Sequence, residues 1–329
     1  MYPHVTICHV KNAHLKYNSF TEVLKKKYQT RIFKITLNAG LTCPNRDGKL
    51  STRGCSYCND DYLLAKSWHK QQPLIDQINY GRTYIQERHN AEKFFAYFQN
   101  GTNTYASVKT LRNIFYTVLK SPDIVGMIIG TRADCLPESV LDLLSEINSK
   151  TDLWIDLGMQ STQNKILEKT NRGHSIEDFS LAINNLAQRN IQTCGHVILG
   201  MPEESIEEAL QGVNIINKLP LNGLKIHNML VTKDTELATW FAQGKYKPLS
   251  LKDYVDLCVD YIERLRPDII IHRLNAHAPA RLTVAPSWSV NKLGTLNAIH
   301  KELVRRETWQ GRWFDGSMDR GVDGSGSRR

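Results

Sequence analysis

With 329 residues, 41% of them hydrophobic, the chain is long enough for one large core or two domains. No apolar run approaches the roughly 20 residues of a membrane helix, and the amino terminus lacks the apolar block of a secretory leader. Net charge is +9, with the basic residues crowded into two segments, and this points to a polyanionic partner.

Residues 1–30 read as a basic amino-terminal segment. Between 11 and 34 stand Lys11, Lys16, Lys25, Lys26, Lys27, Arg31 and Lys34 against one acid, Glu22. The run 31–38 has strand character, and a loop carrying Cys43, Cys55 and Cys58 follows it directly. Further strands are expected at 93–98, 124–130, 153–158, 194–199 and 224–231. Helices are expected between them near 73–90, 107–120, 137–149, 163–189 and 204–218, several opened by start signals at Ser107, Pro137-Glu138 and Ser205. Six strand–helix alternations over 31–235 predict an α/β fold with a parallel sheet or barrel, its active residues at the carboxyl ends of the strands. Over 236–313 the pattern changes to a helix near 250–265, a strand at 268–273 and a helix near 289–306, read as an extension packed on the barrel. This part carries the second basic segment, Lys292, Lys301, Arg305, Arg306 and Arg312 against Glu302 and Glu307, with Trp309 and Trp313 interleaved. The two segments are expected to form one RNA-binding face, or else two solvated surfaces. Residues 314–329, rich in Gly, Ser, Asp and Arg, predict a disordered tail.

The cysteines carry most of the chemistry. Four thiolates close a metal site, whereas three leave a coordination position open for chemistry. A soft triad after a first strand suggests an iron–sulfur cluster with a vacant iron. The other reading is a zinc loop, with His69 the near histidine downstream. The remaining four cysteines, Cys8, Cys135, Cys194 and Cys258, are scattered, which is not a disulfide framework and suits a reducing cytoplasm.

The strand ends add polar constellations. Gln99 to Tyr105 places Thr102, Asn103 and Thr104 in a turn that exposes carbonyls and hydroxyls, or forms a plain Asn-Gly turn. Thr131-Arg132-Ala133-Asp134 presents a charge pair, catalytic or structural. Gln160 ends strand four, and Arg172 follows twelve residues on, its planar fork suited to a carboxylate. His174 reads as a ligand contact or a helix-surface residue. His196 opens the run into Gly200, where glycine lets a ligand approach the backbone. His227 reads as a lumen residue or a packed core histidine.

These motifs together resemble the radical S-adenosylmethionine (SAM) superfamily, and the eleven-residue first gap resembles the YhcC/YtqA-like family, related to the Elongator catalytic subunit. The resemblance implies a partial (β/α)6 barrel with a carboxyl-terminal α/β extension. It implies a 4Fe-4S cluster on Cys43, Cys55 and Cys58, with SAM on the open iron. Tyr57, Thr102, Asn103, Thr104, Gln160, Arg172, His196 and Gly200 are the implied SAM contacts; no catalytic residue beyond these is assigned. The implied activity is reductive SAM cleavage to a 5′-deoxyadenosyl radical, for modification of a tRNA wobble-uridine side chain. The implied partners are tRNA and a flavodoxin- or ferredoxin-type electron donor, with neither membrane nor DNA involved. Two alternatives stand: a small-metabolite or protein substrate, and a non-catalytic iron–sulfur RNA-binding protein. The chain departs from the family at Asn38-Ala39, Asp156 and Asn275-Ala276-His277, which bears on the substrate and leaves the cluster ligands alone.

Overall fold

The computed structural model describes residues 15–59 and 72–315. Cys8, His69 and the tail expected beyond Asp315 lie outside the described residues. Seven parallel strands form one sheet: β1 (Phe33–Leu37), β2 (Phe94–Phe98), β3 (Ile124–Thr131), β4 (Asp152–Gln160), β5 (Gln192–Leu199), β6 (Gly223–Asn228) and β8 (Ile270–Arg273). They are ordered as named, and β7 (Val231–Thr232) pairs separately and antiparallel with β9 (Thr283–Ala285). Helices cover the outer face, so the strands are apolar on both sides; β2 is buried at every position. This is the partial barrel that the resemblance implies, and the extension contributes its seventh strand. One core accordingly runs from Ile35 to Leu303 across the boundary expected near 235.

Local chemistry sets the helix starts. Ser107 caps α3 (Val108–Leu119), and capping boxes open α6 (Ile176–Gln188, Ser175 with Asp178) and α7 (Ile206–Lys218, Ser205 with Glu208). The single helix expected over 163–189 is two, α5 (Asn164–Lys169) and α6. Asn171 (φ 52°) and Gly173 (φ 75°) take the left-handed conformation, which ends one helix before Ser175 caps the next.

The basic amino-terminal segment is part of the barrel. Helix α1 (Phe20–Tyr28) plugs the end where the strands begin. Ser19 bridges to Ile271, and Phe20 stacks on His272 at 3.7 Å and meets Trp154 edge-on. Lys27 and Tyr28 both bond Asp152 at the start of β4, at 2.6 and 2.8 Å. Lys25 and Lys26 remain exposed, and Lys34 points into the barrel, its ammonium 4.7 Å from the Phe20 ring centre.

The two basic segments do meet. Gln310 donates its N–H to the Lys16 carbonyl and accepts from the Asn18 N–H, each at 2.9 Å. Part of their charge is neutralised, however. Arg306 ties the end of α10 (Lys292–Arg305) to α9 (Leu251–Arg264) through Asp256 and Asp260 and also pairs with Glu302 of α10, which Arg305 bonds too. Arg312 lies over the exposed Trp309 and Trp313 rings.

Inside the barrel floor, Gly126 faces Phe95, and an added Cβ would fall 2.3 Å from the ring. Gly126→Ala is expected to destabilise the protein by about 1–3 kcal/mol through overpacking, read as a lower urea midpoint. Phe95→Leu in that background should recover part of the loss.

Candidate functional site

The site is assembled at the carboxyl ends of the strands. Beyond β1, Asn38 is locked by Gln77, which accepts from its N–H at 2.8 Å and donates to its carbonyl at 2.9 Å. The eleven-residue spacer then folds on itself. Leu50 N–H donates to the Pro44 carbonyl at 2.8 Å, and Gly54 N–H to the Asn45 carbonyl at 2.7 Å. A long gap in sequence thereby returns Cys43 toward Cys55, and Cys58 N–H closes a turn on the Cys55 carbonyl at 2.9 Å. Gly54 (φ 74°) makes this possible: a Cβ there would meet the Arg46 side chain at 3.0 Å.

The break between α5 and α6 grips this loop. Ser56 N–H donates to the Thr170 carbonyl at 3.0 Å, and Asn171 Nδ2 to the Gly54 carbonyl at 2.6 Å. Asn45 Nδ2 bonds both the Asn171 carbonyl, at 2.5 Å, and Cys55 Sγ, at 3.6 Å. Arg172 is buried against Cys55, with Nη1 3.7 Å from the sulfur and Nη2 2.8 Å from the Gly158 carbonyl. Burial works against its charge, but Cys55 and Tyr57 beside it keep the guanidinium firmly protonated. His174 also bonds the Gly158 carbonyl, at 3.1 Å. Burial, then Arg172, lowers its imidazole to about 3, so it is neutral.

Gln160 (φ 78°) sits at a bulge in β4. A Cβ on Gly158 would lie 2.6 Å from both Gln160 Nε2 and Arg172 Nη2. Glycine at 158 is what lets this expected pair converge.

The other expected residues surround the loop. Tyr57 packs against the apolar cluster that includes Ile198, Met201 and Met229, and its hydroxyl lacks a hydrogen-bond partner. Thr102 N–H donates to the Thr42 carbonyl at 3.0 Å, tying the turn after β2 to the cysteine loop. Asn103 Nδ2 donates to the Gly130 carbonyl at 3.0 Å while its Oδ1 is unpartnered. The Thr104 hydroxyl is committed to Thr131 and the Cys135 carbonyl. Arg132 and Asp134 form a bidentate pair at 2.8 and 2.9 Å, with Arg132 Nη1 left over. Gly200 (φ 81°) ends β5, its carbonyl held by the Tyr246 hydroxyl at 2.7 Å. Sequence reasoning passed over Asn45, Gly158 and Asn171. The Asn-x-Gly at 171–173 was the available signal, because both residue types tolerate positive φ.

Two groups of side chains suggest metal. Among the described residues, only Asp156, Cys194 and His272 bring their ligand atoms within 4.8 Å of one another. Lys225 is bonded to Asp156, however, and burial, then Asp156, pushes the Cys194 thiol well above its ordinary range. A cation has no place there. The Cys43, Cys55 and Cys58 thiols on one loop are the other group, and Arg172 and Asn45 on Cys55 suit the negative charge of an iron–sulfur cluster held there.

The comparisons agree with this geometry. A family model described as "Radical SAM superfamily" matches residues 51–214, and one described as "Radical_SAM C-terminal domain" matches 221–305. The protein YtqA of Bacillus subtilis is 35% identical over 92% of this chain and 94% of its own length. A Methanocaldococcus infernus protein named tRNA uridine(34) acetyltransferase is 28% identical over 49% of this chain and 30% of its own. Among solved structures, archaeal Elp3 from Methanocaldococcus infernus superposes with a TM-score of 0.65 at 19% identity, over 85% of this chain and 64% of that one. The fold and site define a radical SAM protein. More narrowly, the chain belongs to the YhcC/YtqA-like family, and its cofactors are a 4Fe-4S cluster and SAM. No helix among the described residues is long and apolar enough to cross a membrane.

Anaerobic reconstitution is expected to load about four irons per chain. Cys43→Ala, Cys55→Ala and Cys58→Ala should each abolish the charge-transfer absorption, while Cys135→Ala and Cys258→Ala keep it. One zinc per chain with no such absorption would refute the cluster assignment.

Proposed function

We propose that this chain is an enzyme that cleaves SAM reductively and uses the 5′-deoxyadenosyl group to take a hydrogen from the wobble-uridine side chain of a tRNA. The observation that carries the substrate half is the similarity to the protein named tRNA uridine(34) acetyltransferase, joined to the likeness in fold to archaeal Elp3. When bound, the cluster supplies the electron, received from a flavodoxin- or ferredoxin-type donor.

The chain's own residues bind and orient. Cys43, Cys55 and Cys58 hold the cluster. Arg172, fixed by Gly158 and Cys55, offers a charged fork to the SAM carboxylate beside Gln160. The amino group has Asn103 Oδ1 and backbone carbonyls of the same turn, since Thr104 is already committed. Tyr57 and the backbone at Gly200 wall the adenine side, and His196 reaches the ribose from β5. Burial, then Lys225, lowers the His196 imidazole to about 4, so it acts as a neutral partner. The substrate enters the barrel from the carboxyl face.

Two experiments test the two halves. With dithionite, the holoenzyme should convert SAM to 5′-deoxyadenosine and methionine, and Arg172→Ala should weaken SAM binding by about 2–4 kcal/mol. Unchanged affinity in that variant would show that Arg172 does not hold the carboxylate. For the RNA, nucleosides of total tRNA from a deletion strain should lack a wobble-uridine derivative present in the parent, by mass spectrometry. Binding to tRNA should weaken log-linearly with salt. Replacing Lys25 and Lys26 by Ala should make that slope shallower by about 0.7–0.9 for each phosphate no longer neutralised. These two lysines lie at the barrel end opposite the cluster, so an RNA that touches both must run along the barrel flank.

A further inference from the structure

Below the cluster level, the barrel lumen holds a charged layer that the functions above do not use. Three cations reach into it from separate strands, Lys34 on β1, Lys225 on β6 and Arg273 on β8. One carboxylate, Asp156 on β4, faces them. Lys225 is spoken for: its ammonium bonds Asp156 and lies 3.0 Å from the Tyr97 hydroxyl. Burial alone would raise the Asp156 carboxyl, but Lys225 and His196 hold it well below the ordinary carboxylate range. It is therefore a full negative charge; its Oδ2 is taken by Lys225, with His196 Nε2 standing 3.5 Å away, while Oδ1 has no hydrogen-bond partner.

Lys34 and Arg273 have no such partner. Among the described residues neither makes a hydrogen bond or an ion pair; Lys34 only overlies the Phe20 and Tyr97 rings, at 4.7 and 5.5 Å. Both are partly shielded from solvent, and the Arg273 charge acts on Lys34, Tyr97, His196, Lys225 and His227. Cations withdrawn from water without a counter-charge are costly. Around them, His227 Nε2 and both ring nitrogens of His272 also lack hydrogen-bond partners. An excess of positive charge and a surplus of hydrogen-bonding groups in one place are the marks of a site completed by a ligand.

We propose that this layer is the binding site for an anionic group, a carboxylate or a phosphate, carried by the substrate or a co-substrate, and that Lys34 and Arg273 are its counter-charges. These two residues stand on the opposite edges of the open sheet, β1 and β8, across the seam that α1 closes below. Asp156 lies two residues below Gly158 on β4, about 7 Å along the strand. An anion held here would anchor one end of a molecule whose other end reaches the level of Arg172 and Gln160. The ligand is thus a small organic acid or a phosphate ester with further polar groups, its long axis along the barrel. The inference rests on the functional reading above for the placement of substrate inside the barrel.

The state of Lys34 supplies a second readout. It faces Tyr97, Asp156, Cys194, Lys225, His272 and Arg273. Burial, then Lys225 and Arg273, lowers its ammonium to about 7. An anion that settles against it draws a proton on, so binding at pH 8 takes up a proton and affinity falls as the pH rises further.

Calorimetric titration of the reconstituted holoenzyme with sodium malonate and, separately, with inorganic phosphate tests this. At least one should bind saturably, with proton uptake that shows as a dependence of the heat on the buffer's ionisation enthalpy. The preferred anion tells a carboxylate ligand from a phosphate ester. Lys34→Met and Arg273→Met, checked for native melting and iron content, should each weaken binding about tenfold or more. No saturable binding of either anion to the wild type, or equal binding by both variants, overturns the proposal. SAM cleavage by the same wild-type preparation is scored separately: a protein that cleaves SAM yet binds no anion overturns this proposal alone. One that binds the anion without cleaving SAM overturns the functional reading and leaves the anion site standing.

Discussion

The cysteine loop is held from outside by the break between α5 and α6, and the rest of the site depends on that grip. A loop of this length, with Gly48 and Gly54 within it, has high conformational entropy on its own. Its internal turns close it, but the bonds from Thr170, Asn171 and Arg172 fix where it sits relative to β4. The same short stretch reaches Cys55, the proposed cluster ligand, and, through Gly158, the bulge that turns Gln160. One backbone interruption therefore sets the cysteine loop, Arg172 and the strand end in register, and glycine at 158 is the steric condition for it.

Much of this was legible in the sequence, because short-range rules govern it. The parallel strands appear as uninterrupted apolar runs, and the helix starts at Ser107 and Ser205 follow from their own side chains. The cysteine spacing and the Gln160–Arg172 spacing also stand in the sequence, and the structure brings Gln160 and Arg172 together at Gly158. What the sequence hid was tertiary. The left-handed pair Asn171 and Gly173 splits a segment whose apolar pattern reads as continuous helix. The fate of the basic segments was equally invisible. Arg306 looks free along the chain, yet α9 supplies three acids to it from residues some 40 to 50 positions away. Net charge thus overstated the surface available to a polyanion, since part of it ties helices together and part, at Lys34, turns inward.

That inward part separates this lumen from an ordinary barrel interior. A barrel of this size is normally filled by branched apolar side chains in layers. Here the floor is apolar, with Phe20, Phe95, Ile128 and Trp154. The layer above it is ionic. An evolved protein accepts the cost of buried charge where pairing repays it or where function requires it. Lys225 with Asp156 is the first case, since the two charges pair directly and Lys225 also bonds Tyr97.

Lys34 and Arg273 are the second case, and their position on the two sheet edges gives the charge a direction. Lys34 and Arg273 feel one another's charge, and Arg273 is registered beside Lys225 on β6, so an anion between them relieves repulsion as well as pairing them. The neutral imidazoles of His196 and His227 line the neighbouring wall, where they add hydrogen-bonding capacity without adding charge. The arrangement discriminates by sign: a neutral or cationic molecule leaves Lys34 and Arg273 unpaired, whereas an anion satisfies both. Selection of this kind at the far end of a molecule also orients it, because only one end can settle against the cations. The opposite end is then presented to the strand termini where Arg172 and the cysteine loop lie, so that recognition by charge below and the proposed hydrogen abstraction above become one geometric requirement.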